Sequence, residues 1–178
     1  MRKKNKLMLF VDLIVILVLL AGDQFTKHLA IVHLKDQPAF VLIDGVLELK
    51  YLENSGSAFG IFQNQKLFLL AVGFIFLAVV LFFLFRLPGD KKFRVSHIAI
   101  SAIIAGGIGN MIDRFRFDHV VDFISFVLIN FPIFNVADCY IVVFTILLFL
   151  LFMFVYKESD LEFLSLKRKP LPGDDADG

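Results

Sequence analysis

The sequence predicts an all-α integral membrane protein: four transmembrane helices with a small extracytoplasmic β-cradle and a short interfacial helix. Three observations carry that expectation. Hydrophobic residues make up 58% of the 178, Phe alone contributes 23, and the mean hydropathy is +0.81, more apolar surface than a soluble domain of this length can bury. Four apolar stretches are long enough to cross a hydrocarbon core about 30 Å thick, which needs roughly 20 residues at about 1.5 Å each. Between the first two of them the pattern switches to strand-like alternation around Asp44-Gly45.

The spans follow in order. Leu7–Ala21 is apolar except for Asp12, and helix continues through "GDQFTKHLAIV" to about residue 28. Basic residues ahead of an apolar run also fit a cleaved signal peptide. Asp12 inside the run, and "GDQFTK" where an A-x-A-like site would stand, favour a retained anchor. "FVLIDGVLELKYLEN" folds as a hairpin, Phe40–Ile43 with Val46–Leu52, in an outer cradle over about 38–58, and "AFGIFQNQ" is expected as the interfacial helix. The second helix is expected over 66–86, where Leu67–Phe85 carries neither charge nor proline. The third, over 95–112, is the most polar, with His97, Asn110 and the glycines of "AGGIGN" as close-packing points. The fourth covers 136–156, and 157–178 is expected as a disordered cytoplasmic tail after a single domain ending at 156.

Lys and Arg set the orientation. Twelve of the eighteen lie in "MRKKNK", "RLPGDKKFR" and the tail, so the positive-inside rule puts both termini in the cytoplasm and the loops 28–66 and 113–135 outside. Net charge is only +1, which points to no nucleic-acid partner, and a single cysteine excludes a disulfide framework or a cysteine-rich metal site.

On that layout the polar residues collect at the outer interface: Asp23, Lys27, Asn54, Asn110, Asp113, Arg114, Asp122, Asn135 and Asp138. Ionisable groups in a membrane are costly and raise a functional expectation. Structural roles compete for most of them. Asp23 and Lys27 have the i,i+4 spacing of a helix ion pair, and Asn110 and Arg114 repeat it. Asn135 with Asp138 fits an N-cap and its capping partner on the fourth helix. Capping does not account for Asp122, a carboxylate among Val120, Val121, Phe123 and Ile124 that is expensive without a partner. Asp138 is the nearest one in the topology. Two carboxylates held together share one proton, so one can activate water while the other protonates a carbonyl or leaving amine. That is aspartic-protease chemistry and uses no metal or cofactor. H-E-x-x-H and G-x-S-x-G are missing, and Cys139 is expected to pack within its helix as a small apolar residue.

Five segments together resemble the lipoprotein signal peptidase (signal peptidase II) family: "DQFTK" at 23–27, "NSGSAFG" at 54–60, "GGIGNMIDR" at 106–114, "VVDFISF" at 120–126 and "FNVADCYI" at 134–141. Each is weak alone, and their order on four helices is specific. The resemblance implies a bacterial inner-membrane aspartyl endopeptidase that removes the signal peptide of a diacylglyceryl-modified prolipoprotein, cutting before the lipidated cysteine. By position it implies Asp122 and Asp138 as the catalytic pair. Asp23, Lys27, Asn54, Gly56, Asn110, Arg114 and Asn135 become its supporting residues. Membrane lipids are its surroundings, and one chain suffices for the motif set. Members of that family commonly carry tryptophan at the interface; this chain has none, and Phe takes the place. A doubly acylated substrate keeps its cysteine at headgroup level, so the bond is reached through a lateral opening near the outer face. The positive end of the fourth helix is expected to make Asp138 the base, with Asp122 keeping the proton.

Two other functions fit parts of the sequence. A small four-helix proton-coupled transporter would use Asp12, the only carboxylate well inside a span, and a non-enzymatic scaffold would use the polar cluster as packing glue.

Overall fold

The computed structural model describes residues 6–56, 62 and 65–164, with side chains through 161. Four of its helices are long and apolar enough to cross a membrane: α1 Lys6–Leu34, α2 Lys66–Arg86, α3 Arg94–Phe117 (with the 3-10 turn Lys91–Phe93 leading into it) and α4 Val136–Phe154. A three-stranded antiparallel sheet, β1 Phe40–Ile43, β2 Leu47–Asn54 and β3 Val120–Phe126, has the order β1-β2-β3.

The least apolar helix is the most buried. α3 packs against α1, α2 and α4, while those three expose most of their surface, as lipid-facing helices do. Small residues permit this close approach. A Cβ on Gly106 would lie 2.5 Å from the Ala137 carbonyl oxygen, and one on Gly107 would lie 2.9 Å from Leu77. At one end Leu84, Leu87, Phe93, Ile100, Ile104 and Tyr156 form an apolar core, with Tyr156 Oη 2.6 Å from Ser96 Oγ. Asp12 lies buried in the α1–α3 contact, 2.8 Å from His97 Nδ1 and 3.4 Å from Ser101 Oγ. His97 Nε2 is 3.3 Å from the Pro88 carbonyl. Both polar side chains are therefore hydrogen-bonded inside the bundle.

The helices run further than the hydropathy indicates. α1 continues to Leu34 rather than ending near residue 28, a span of about 44 Å at 1.5 Å per residue. Its last turns are covered by the sheet: Ala30, Ile31 and Leu34 pack with Val121, Phe123 and Leu49. α3 continues from 112 to Phe117 and stops at Asp118, which takes the left-handed conformation (φ 66°). α4 ends at Phe154, two residues short of the expectation.

The hairpin forms as expected, with Gly45 at φ 67° in the turn, although β2 reaches Asn54. β3 is the element the sequence did not disclose. Val120–Phe123 is buried on both faces, so its run of apolar residues lacks the period-2 alternation that marks a half-buried strand. Glu158–Leu164 form a 3-10 helix where the sequence expects a disordered tail, anchored by an ion pair between Asp160 and Lys92 and by Lys157 N–H donating to Asp160 (2.9 Å). The rest of that tail, and most of the "AFGIFQNQ" segment, lie outside the described residues.

Candidate active site

Four elements converge at one end of the bundle, where the sheet meets the helices. β3 presents Asp122 and β2 presents Asn54. The last turns of α3 present Asn110, Asp113 and Arg114, and the first turn of α4 presents Asp138 beneath its cap, Asn135. The cap is a full capping box. Asn135 Oδ1 accepts from Asp138 N–H (3.1 Å), and Asp138 Oδ2 accepts from Asn135 N–H (3.2 Å). The capping role weighed for this residue is therefore real, and it leaves Asp138 Oδ1 free to accept from Asn110 Nδ2 at 2.8 Å.

Asn135 also reaches the other aspartate. Its Nδ2 donates to Asp122 Oδ1 (2.7 Å) and to Asn110 Oδ1 (3.2 Å), while Asn54 Nδ2 donates to Asp122 Oδ2 (2.8 Å). Asp122 is fully buried, and burial outweighs those two hydrogen bonds. With Asp138 adding its own charge, the carboxyl is pushed up to about 7. Asp122 and Asp138 line the same cavity of about 380 Å³, together with Asn54, Asn110 and Arg114.

A buried charge cluster stands behind the asparagines. Lys27 Nζ lies 2.8 Å from Asp113 Oδ2, 3.1 Å from Asp23 Oδ2 and 2.8 Å from Asn110 Oδ1, using all three of its donors. Since Asn110 takes Lys27 on its oxygen, its amide nitrogen is turned to Asp138. Asp23 Oδ1 also accepts from Ala137 N–H (3.0 Å), so α1 holds the start of α4. Asp113 Oδ2 accepts from Val121 N–H (3.3 Å), next to Asp122 in β3.

Every residue singled out from sequence takes part. Asp23 and Lys27 form a fully buried pair rather than a helix-surface one. Gly56 N–H donates to Asn54 Oδ1 (3.0 Å), and the Gly56 carbonyl accepts from Arg114 Nη2 (3.0 Å). Arg114 Nη1 donates to the Asn110 carbonyl (3.4 Å), and its Nε is buried without a partner among the described residues. Sequence reasoning missed two connectors. Asp113 carries no assigned role in the sequence, although its spacing of three from Asn110 puts both on one helical face. Gln24, inside "DQFTK", donates to Asp23 Oδ2 (3.2 Å) and Asp113 Oδ1 (3.1 Å). Cys139 lines the cavity instead of packing away within α4, because the first turn of that helix faces the opening. Among the described residues, no three His, Cys, Asp or Glu side chains are grouped to hold a metal ion.

The signal peptidase (SPase) II family model matches residues 15–154, which include all of these groups. The chain belongs to the signal peptidase II family. A lipoprotein signal peptidase of Clostridium tetani is 38% identical over 154 residues, covering 85% of this chain and 96% of that protein. One of Brevibacillus brevis is 43% identical over 121 residues, covering 68% and 80%. A bacterial membrane enzyme solved by the in meso method at 2.3 Å resolution superposes with a TM-score of 0.72 at 27% identity, covering 95% of this chain and 99% of that one. The chain is therefore a membrane signal peptidase, and the transporter reading is left without support.

Proposed function

We propose that this signal peptidase works as an aspartyl endopeptidase, with Asp122 and Asp138 as its catalytic pair, and cuts before a diacylglyceryl-modified cysteine. The observation that carries the proposal is Asn135. One residue donates to Asp122 through its amide and to Asp138 through its backbone, in a cavity lined by both carboxyls. With Asp122 near neutrality, the one proton shared by the pair resides on it. A water between them gives a proton to Asp138 as its oxygen attacks the scissile carbonyl carbon. Asp122 passes its proton to the carbonyl oxygen, forming a gem-diol. Asp138 then protonates the departing nitrogen as the C–N bond breaks, and a diol hydroxyl returns a proton to Asp122. Neither carboxyl forms a covalent intermediate, and the proton inventory is restored.

The supporting roles follow from contacts. Asn54 and Asn135 orient Asp122, and Asn110 orients Asp138. Lys27 and Asp23 hold Asn110 and the start of α4, while Arg114 fixes the Gly56 turn beside Asn54. Every one of these groups comes from one chain, which supports a monomeric enzyme of one domain. The distribution of Lys and Arg supports a multi-pass protein of the bacterial inner membrane with cytoplasmic termini and an outward-facing site.

Purified protein incubated with a diacylglyceryl-modified prolipoprotein and its unmodified twin tests the proposal. Only the modified form should be cut, and Asp122→Asn or Asp138→Asn should abolish cutting while the protein stays folded. Equal cleavage of both substrates would remove the lipid requirement. Persistent cleavage by both variants would remove the dyad.

A further inference from the structure

Asn54 stands at the end of a weakly held strand. β1 pairs with β2 only over Leu47–Leu49, so among the described residues that edge is open from Lys50 to Asn54. On the other edge the ladder to β3 is irregular between Leu49 and Leu52. Asn54 is also the last residue of β2, yet its amide meets Asp122 Oδ2 at 2.8 Å. We propose that the neighbouring Glu53 is a positioning residue of the reaction: its carboxylate clasps the end of β2 to the end of α1 and thereby sets Asn54 against Asp122. The proposal rests on the reading of Asp122 just given.

Three segments meet on that carboxylate. Lys35 Nζ, one residue past α1, lies 2.8 Å from Glu53 Oε1, and Tyr51 Oη donates to the same oxygen (3.1 Å). His119 Nε2, from the turn between α3 and β3, is 3.8 Å from it. Lys35 also sits over the Tyr51 ring, 5.5 Å from its centroid, and that ring packs on the apolar cluster joining the sheet to α1. Side chains alternate between the faces of a strand, so Glu53 and Tyr51 lie opposite Asn54, which turns to Asp122. The clasp and the catalytic contact therefore belong to adjacent residues.

α1 is the common reference. Its Asp23 and Lys27 hold the start of α4 and Asn110, and Lys35 just beyond its end holds β2, so both carboxyls are placed against one helix. Lys35 and Glu53 are 45% and 44% exposed, and an ion pair so open to solvent adds little to stability. Its effect is on geometry, to which a proton-transferring site is far more sensitive. The hydrogen bond from Lys35 holds the Glu53 carboxyl below the usual carboxylate range, so the clasp stays charged while Asp122 titrates.

The test is the pH dependence of kcat. The hydrogen bond from Asn54 favours the charged form of Asp122 and holds its carboxyl down. Glu53→Ala should therefore move the alkaline fall of kcat up by about half a pH unit or more. At pH 6 it should lower kcat about tenfold with KM within about twofold. Lys35→Glu should do the same by repulsion. Combining Lys35→Glu with Glu53→Lys restores an opposite-charge pair and should return kcat and its pH profile to within about twofold of the unaltered enzyme. Melting temperatures of the four proteins in one detergent should differ little. An unmoved pH profile in Glu53→Ala, or a lowered melting temperature with kcat unchanged, would overturn the proposal. So would a charge-swapped enzyme as impaired as the single variants. Cleavage by Asp122→Asn would instead overturn the reading of Asp122 on which the proposal rests.

Discussion

Asp122 is a carboxyl whose ordinary value of 3.8 is pushed up to about 7, chiefly by burial. The folded protein thus binds this proton more tightly than the unfolded chain does. That contribution to stability is complete below the ordinary value and is lost as pH rises through about 7, an effect of up to about 4 kcal/mol. Asp122→Asn removes the titration. Its melting temperature relative to the unaltered protein should rise between about pH 4 and pH 7 in one detergent; a flat difference would show that residue 122 does not titrate there. For the reaction, the same shift predicts that kcat falls as pH rises above about 7 and the acid loses its proton. Asn135 ties three parts of the site together, since it caps α4 and donates to Asp122 and Asn110. Asn135→Ala should cost about 1–2 kcal/mol of stability for the lost cap, and at least about 100-fold in kcat as Asp122 loses a donor and Asn110, which orients Asp138, loses a partner. Chemical denaturation and single-turnover cleavage separate the two losses.

Glycines separate local from global effects among the elements. On Gly109 a Cβ would lie 3.1 Å from Asp23 Cγ and collide with its Oδ2, the carboxylate that holds Lys27 and the start of α4. Gly109→Ala should therefore destabilise by about 1–3 kcal/mol and lose most activity, since α1 must move away from α3. Gly45 in the hairpin has nothing within 4 Å of a Cβ and only the strain of its φ of 67°. Gly45→Ala should cost about 1 kcal/mol and leave cleavage intact. Thermal shift and activity of the pair decide whether tight helix packing or hairpin geometry sets up the site. The segments were unequally legible. α2 and the hairpin could be read directly, from an uninterrupted apolar run and from alternation around a turn dipeptide. β3 could not, because burial of both faces erases the period. Nor could the last turns of α1, whose apolar residues are explained only by the sheet that covers them.

At the scale of the whole molecule, the polar cluster resembles a soluble core turned into a membrane. Lys27 neutralises one of two buried carboxylates, Asp23 and Asp113, and the remainder is spread over Gln24 and backbone N–H groups. Lys27→Met leaves two carboxylates buried without a cation and should cost about 3–5 kcal/mol. Adding Asp113→Asn should recover part of that stability without restoring activity, because Asn110 still lacks the donor that turns it toward Asp138. Full recovery of activity in the double variant would mean that Lys27 serves packing alone. Asp12, tied to His97 at a distance from this cluster, gives a control. Asp12→Asn should leave cleavage within about threefold, as expected of a residue that clamps α1 to α3.

The sequence by itself determined the solvent, the four spans and the family, because hydrophobic length and motif order are properties of a string. It could not tell a capping carboxylate from a catalytic one, since Asp138 fits both and its cap is real. Only the tertiary structure brought Asn135, Asn110 and Asn54 from three elements to bear on Asp122 and Asp138 in one cavity, the arrangement that supports the proposed pair. It also turned an apparent surface ion pair into the buried charge behind them. The physical reason is that hydrogen bonding and desolvation act over a few ångströms in space, whatever the separation along the chain.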